Sequence, residues 1–292
     1  NYPVEYLAAV LTADSGDTEA IAIFVAEAKR MGIPVLPPDV NESGSDFTVV
    51  SDGAIRFGLS SIKNFGEGIS EAIIAERKAH GPFKTLSDFL SRVSSKNLTR
   101  KSLESLIKCG TLDSLSPSSA KRGTLLDNIE SMLAFHREAT APAPQDSLFG
   151  ALTAPPALIL PVGKTVSLLD KLAWEKELLG IYVSGHPLDA HEAITKKAKF
   201  SIAKVKKEPQ PGMLLILPVL VVLVRAILTK SGEKMAFITV EDTTDAIEAV
   251  VFPKLLKEHA ALIVPGACLL VKGKVSVRNG EPSLAIEELK PL

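Results

Sequence analysis

The chain has 292 residues, 46% of them hydrophobic and 23% charged, with a formal net charge of −1. That length suits two or three domains, and that composition suits packed cores rather than a disordered chain. Near-neutrality argues against a uniformly basic nucleic-acid binder, and two distant cysteines, Cys109 and Cys268, leave neither a disulfide scaffold nor metal-ligand spacing, pointing to a reducing compartment.

The charge is unevenly spread: net −6 over residues 1–50, +4 over 51–110, −1 over 111–200 and +2 over 201–292. Phosphate contacts are therefore expected in the second and fourth stretches. The start, Asn1-Tyr2-Pro3, has no initiator Met and no export signal and reads as a cut inside a longer protein. The longest apolar run, "MLLILPVLVVLV" at 213–224, is interrupted by Pro218. It falls short of the ~20 residues a bilayer needs and reads as a buried strand; no membrane association is expected.

In chain order, "DSGDTEAIAIFVAEAKRMG" reads as a helix capped at Asp17 and Thr18, with Ile21, Phe24, Val25 and Ala28 at helical spacing and Gly32 at its end. "DSGD" reads as this cap rather than as paired metal-binding acids. "IPVLPPDVNESGSDFTVV" is too proline-rich for helix and reads as extended chain with turns. "AIRFGLSSI" reads as a short strand running into a helix.

"SSIKNFGEGISEAIIAERK", Ser60 to Lys78, then reads as two short helices joined by a hairpin containing Gly66 and Gly68. Glycines allow close backbone approach, and hairpin N–H groups with a helix start form an anion site. Lys63, Asn64, Gly66, Gly68, Arg77 and Lys78 are the candidate duplex contacts, gripping phosphate without reading bases. The bland alternative is a plain helix–helix turn. "LTRKSLESLIKCGTLDSL" looks like a degenerate second copy with a packing role. Helices are expected over 69–78, 85–93, 99–108 and 124–138.

Residues 139–168 are rich in Pro, Ala, Thr and Ser and read as a linker. Within them, Gln145, Leu148 and Phe149 form either a short linear peptide, with an apolar pair to fill a partner's pocket, or a loop tucked onto its own domain. The residues alone leave both open. "SLLDKLAWEKELLGIYVSGHPLD" is helical to Leu179, stops at Gly180 and turns at "SGHP".

From about Gly212, β-branched runs alternate with turn signals: three strands, a helix over "PKLLKEHAALI", then two strands. That is the order of an OB-fold barrel. Its single-strand contacts would come from Lys230, Lys234 and Arg278 in two loops and from Phe237 and Phe252 on middle strands. Both phenylalanines are open to a core reading instead. The five histidines give only one near pair, His186 and His191, with no cysteine beside it. No metal site, no catalytic nucleophile and no cofactor are expected.

Taken together, "YPVEYLAAVLTADSGDTEAIAIFVAEAKRMGIPVLPPDVNES", "IRFGLSSIKNFGEGISEAII", "KLAWEKELLGIYVSGHPLD" and "MAFITVEDTTDAIEAVVFP" resemble the bacterial replicative (C-family) DNA polymerase III alpha subunits over nearly the whole chain. The resemblance implies a multidomain arrangement: the end of the polymerase fingers over 1–55, a mainly α helix-hairpin-helix and clamp-binding region over 56–205, and a small all-β OB-fold domain over 206–292. It also implies that Gln145, Leu148 and Phe149 are an internal peptide for the sliding clamp (the beta subunit). Double- and single-stranded DNA and other replicase subunits are the further partners implied, in the cytoplasm. The family's catalytic aspartates, and the Mg2+ they hold, belong to a palm expected before Asn1. This chain by itself is therefore not expected to be an enzyme. Two positions depart from the family: Leu217-Pro218 replaces a small residue and glycine in the first barrel strand, and Asp245 replaces a turn glycine.

Overall fold

The computed structural model describes residues 2–50, 53–94, 96, 98–116, 121–141, 158–229, 232–278 and 280–292. The chain forms two compact units that divide between Ser184 and Gly185. Each has its own apolar core.

The first unit opens with a helix for which the sequence reading made no assignment, α1 (Pro3–Ala13). Pro3 suits the first helical turn, and Leu7, Ala8 and Leu11 bury one face. After α2 (Thr18–Arg30), where Asp17 Oδ1 accepts from the Ala20 N–H at 3.1 Å, the proline-rich stretch gives three short strands. These are β1 (Val35–Leu36), β2 (Thr48–Val50) and β3 (Ala54–Arg56), ordered β1-β3-β2. Among the helices that follow, α3 (Glu67–His80), α4 (Leu86–Arg92) and α5 (Arg100–Lys108) each bury an apolar face in one core. Thr85 and Thr99 cap α4 and α5 by accepting N–H bonds from Asp88 and Ser102.

Two expectations need correction. The stretch before Gly66 is not a helix but a pair of tight turns, Ile62 N–H to Leu59 carbonyl and Phe65 N–H to Ile62 carbonyl. The Lys63 N–H leaves the local ladder and donates to the Leu178 carbonyl at 3.0 Å, and Asn64 takes a left-handed φ of 65°, which a helix does not accept. The single helix expected over 124–138 is two, α6 (Arg122–Asp127) and α7 (Ile129–Ala139). The break is at Asn128, whose Nδ2 donates to the Thr124 and Pro161 carbonyls. Residues 158–166 are irregular, as the linker reading has it. They are pinned, however: the Lys164 N–H donates to Asp127 Oδ2 at 2.8 Å and the Gly163 N–H to Thr124 Oγ1 at 3.2 Å. Then α8 (Leu168–Leu179) ends at Gly180 in left-handed geometry.

The second unit begins with α9 (Glu192–Thr195) and α10 (Ile202–Lys207). Five strands close a barrel in the order β4-β5-β6-β8-β7. They are β4 (Leu214–Leu228), β5 (Lys234–Glu241), β6 (Ala246–Val251), β7 (Cys268–Arg278) and β8 (Glu281–Pro291), with α11 (Pro253–His259) between β6 and β7. This is the OB-fold arrangement that the element order predicts. The run 213–224 is indeed a strand. Ile202 and Val205 of α10 pack into the barrel core, so the compact-unit boundary at 184/185 lies ahead of the 205/206 boundary drawn from sequence.

Pro218 fits the barrel for a geometric reason. Strand β4 pairs with β7 over Leu214–Leu220 and with β5 only from Leu220 onward. Pro218 therefore sits where one side of the strand has no ladder to break, just before a register shift between Val221 and Leu223. Asp245 avoids the left-handed region altogether, since Asn64 is the only non-glycine with positive φ among the described residues. The turn is held by Asp242 Oδ1, which accepts the Thr244 and Asp245 N–H groups at 2.7 and 3.0 Å. Among the described residues no helix is long and apolar enough to cross a membrane.

Candidate nucleic-acid interface

The first candidate surface is the start of α3. Lys63, Asn64, Gly66 and Gly68 are all exposed and close together along the chain. Gly66 caps the helix with no side-chain partner, and a Cβ added there would meet nothing within 4 Å. The first N–H groups of a helix lack intrahelical acceptors, so this end offers donors and positive dipole to an anion. Lys63 adds a charge beside it.

Arg77 and Lys78 do not join this cluster. They lie near the other end of α3, about 15 Å from Gly68 at the rise of a helix. Arg77 is also committed elsewhere: its guanidinium donates to the Val40 and Ser43 carbonyls at 2.7 and 2.8 Å. Burial pushes its pKa down from the ordinary arginine value. Its work is to tie the 40–43 turn to the helix. Lys78 is exposed.

A buried ion cluster in this unit was not legible in the sequence. Arg122, 7% exposed, donates to Glu175, 0% exposed, at 2.9 Å and to Asp113 at 2.8 Å. Glu175 also accepts the N–H groups of Val183 and Ser184 and the Ser184 hydroxyl. Burial opposes the Arg122 charge, yet its bonds to the two carboxylates raise its pKa above the usual value. The members come from positions 113, 122, 175 and 184; no local pattern joins them.

The second candidate surface lies on the barrel. Register aligns Arg225, Phe237, Val250 and Ala285 across β4, β5, β6 and β8. Phe237 and Phe252 line one groove of about 570 Å³ together with Met235, Val250, Glu248 and Lys206. Neither phenylalanine belongs to the barrel core: Phe237 is half-buried on β5, and Phe252 is 50% exposed and lies just past β6 as the N-cap of α11, not on a middle strand as expected. The core reading of both is thus set aside. The Arg225 guanidinium carbon lies 5.6 Å from the Phe237 ring centroid, within cation–π range. Arg225 and Lys206 were missed from sequence. Strand alternation around Leu223, Arg225 and Ile227 was the signal for the first.

Lys234 is exposed at the start of β5, and Arg278 ends β7 opposite Glu281. The parallel β6–β8 register places Glu248 beside Ser283, so the Arg278 turn lies at the Asp245 end of the groove and Lys234 at the other. Lys230, Gln145, Leu148 and Phe149 lie outside the described residues.

A helical region followed by a five-stranded barrel with an aromatic groove defines a two-part nucleic-acid-binding architecture. Two family models agree. The helix-hairpin-helix motif matches residues 32–122, and the OB-fold nucleic acid binding domain matches residues 219–292. The chain is 38% identical to DNA polymerase III subunit alpha of Thermus aquaticus over 90% of its own length and 22% of that protein. For the Bacillus subtilis subunit alpha the figures are 37%, 96% and 24%, and for that of Vibrio cholerae 33%, 100% and 26%. Among solved structures, the second OB-fold domain of replication protein A from Methanococcus maripaludis covers 32% of this chain and 93% of its own, at 15% identity and TM-score 0.26. By sequence the chain is similar to the DNA polymerase III alpha subunits over 90–100% of its own length. It spans about a quarter of the length of the curated relatives it matches.

Proposed function

We propose that this chain is the DNA-gripping and clamp-tethering part of a replicative DNA polymerase whose whole polypeptide carries out DNA-directed synthesis. The exposed start of α3, with Lys63, Asn64, Gly66 and Gly68, holds duplex product through backbone phosphates. The barrel groove guides single-stranded template over Phe237 and Phe252. The peptide at Gln145, Leu148 and Phe149 docks on the sliding clamp and raises the effective concentration of the weak DNA grips. Polymerisation and its Mg2+ belong to parts of the protein outside this chain, and other replicase subunits and a cytoplasmic location go with the whole protein.

The observation that carries this reading is the placement of both groove phenylalanines outside the barrel core on one concave face. Aromatic rings lining an open groove rather than the core serve as base-stacking platforms. The competing reading is a structural spacer without DNA or clamp binding, and the near-zero net charge favours it. Two measurements separate them. Calorimetric titration with the sliding clamp should show binding by the parent and a loss of about 3 kcal/mol or more in Leu148→Ala/Phe149→Ala, as truncated anchors cost. Equal affinities in parent and variant, or no binding by either, remove the clamp assignment. DNA affinity should also fall steeply with salt; flat, weak binding favours the spacer.

A further inference from the structure

Residues 196–207 contain six lysines and no acidic residue. Two of them have carboxylate partners: Lys196 with Glu192 at 2.6 Å and Lys206 with Asp245 at 2.9 Å. Lys199, Lys204 and Lys207 are exposed and have no acidic partner among the described residues. Like charges held this close repel, and a free-standing lysine cluster on a rigid support favours an anionic ligand.

The support is rigid. Ile202 and Val205 fix α10 in the barrel core. Its first N–H groups are capped by the barrel's own β5–β6 turn: Ile202 N–H donates to Asp242 Oδ2 at 2.7 Å and Ala203 N–H to Thr244 Oγ1 at 3.2 Å. With Ile202 and Val205 inward, Lys204 and Lys207 share the outer face at helical spacing. Lys199 and Lys204 line one hollow of about 300 Å³. On the same helix Lys206 lines the phenylalanine groove, so the lysines continue directly from the groove's Asp245 end.

The groove itself is poorly suited to phosphate. Its lining holds Glu248 and Glu281 against Lys206, and Lys206 is already paired. It suits bases, whose faces stack on phenylalanine, and leaves the sugar-phosphate chain to be held outside. We infer that Lys199, Lys204 and Lys207 form a backbone-tracking site for single-stranded DNA leaving the barrel groove past the β5–β6 turn. This rests on the groove being a base-stacking surface, as proposed above. It extends the bound strand beyond the groove, within the roughly 4–16 nucleotides that one barrel of this kind takes.

The test uses this chain with oligodeoxythymidylates and fluorescence anisotropy over a salt series. It compares the parent, Lys199→Ala/Lys204→Ala/Lys207→Ala, and Phe237→Ala/Phe252→Ala, with circular dichroism as a check on folding. Each phosphate neutralised on a single strand contributes about 0.7 to the slope of log affinity against log salt. The lysine variant should therefore lose about 2 from that slope on an oligomer of about 20 nucleotides. It should bind one of about 4 nucleotides as the parent does. An unchanged slope and affinity on the long oligomer overturns the inference and leaves the lysines to an acidic protein partner. If the phenylalanine variant weakens while the lysine variant does not, only the lysine site fails. If the lysine variant weakens while the phenylalanine variant does not, the lysines hold single strands but not as an exit from the groove, and the inference fails together with the stacking groove. No binding by the parent overturns both.

Discussion

At the scale of single residues, the Arg122–Glu175 pair shows how far a buried charge commits its surroundings. Arg122→Ala would strip Glu175 of its cationic partner at 0% exposure and leave only N–H and hydroxyl donors around it. Breaking one partner of such a pair costs about 3–5 kcal/mol. Urea unfolding of the first unit should show a loss of that size. Replacing Glu175 by Leu should also be costly, because the Val183 and Ser184 N–H groups would lose their acceptor. Gly110 belongs to the same arrangement: it has a φ of 80°, and a side chain there would overlap the Arg122 guanidinium.

Cys109 gives a pH prediction at the same scale. Burial pushes its thiol pKa up to about 11 from 9.0, against the lowering effect of its hydrogen bond with Thr111. The folded state therefore favours the protonated thiol. This contribution is fully present below the unfolded pKa of about 9 and is lost as pH rises toward the folded value. Stability should fall by roughly 2 kcal/mol more in the parent than in Cys109→Ala between pH 8 and pH 11. Chemical denaturation of both proteins at several pH values measures the difference. A thiol reagent at pH 8 should label Cys109 only on unfolding.

At the scale of elements, α3 has two ends with different work. Its start presents Lys63 and the bare Gly66 cap, and its far end is anchored by Arg77 to the Val40 and Ser43 carbonyls. Lys63→Ala should lower the salt slope of duplex binding by about 1. Lys78→Ala should leave affinity for a short duplex unchanged if the start of α3 is the grip. Arg77→Ala should act differently from both, through stability, since it strips two carbonyls of their donor. Duplex titrations over a salt series, paired with thermal melts, separate the two kinds of effect. Asn64 adds a check on the hairpin: with φ at 65°, Asn64→Gly should be tolerated and Asn64→Val should destabilise, because β-branched residues resist left-handed geometry.

At the scale of the whole molecule, the two cores are separate, one within the first unit and one within the barrel unit. A polypeptide of residues 185–292 should therefore fold and unfold cooperatively by itself. One starting at residue 206 loses Ile202 and Val205, which are 0% and 5% exposed in the intact chain. At about 1.5–3 kcal/mol per buried aliphatic side chain, the shorter barrel should be less stable by about 3–6 kcal/mol. Guanidinium denaturation of the two lengths decides this. Equal stability would mean that α10 adds nothing to the barrel core.

Elements that depend on near neighbours are legible along the chain. Gly32 and Gly180 end helices because each sits where the chain must turn left-handed. The barrel strands follow from alternation and turn residues, and that order places Phe237 on a middle strand, whereas Phe252 falls just past β6 at the start of α11. Local signals missed what depends on contacts made far along the chain. The helix expected before Gly66 gives way because the Lys63 N–H is drawn to Leu178, more than a hundred positions later. The helix over 124–138 breaks because Asn128 reaches Pro161. Arg77 is turned from a surface cation into a brace by carbonyls that sequence does not place beside it. Pro218 is accommodated because β4 changes partners along its length. Periodicity and capping act over a few residues and can be read in order. Burial, charge pairing and strand register are set only when distant segments meet, so the tertiary structure alone decided which basic residues remain free to hold a phosphate.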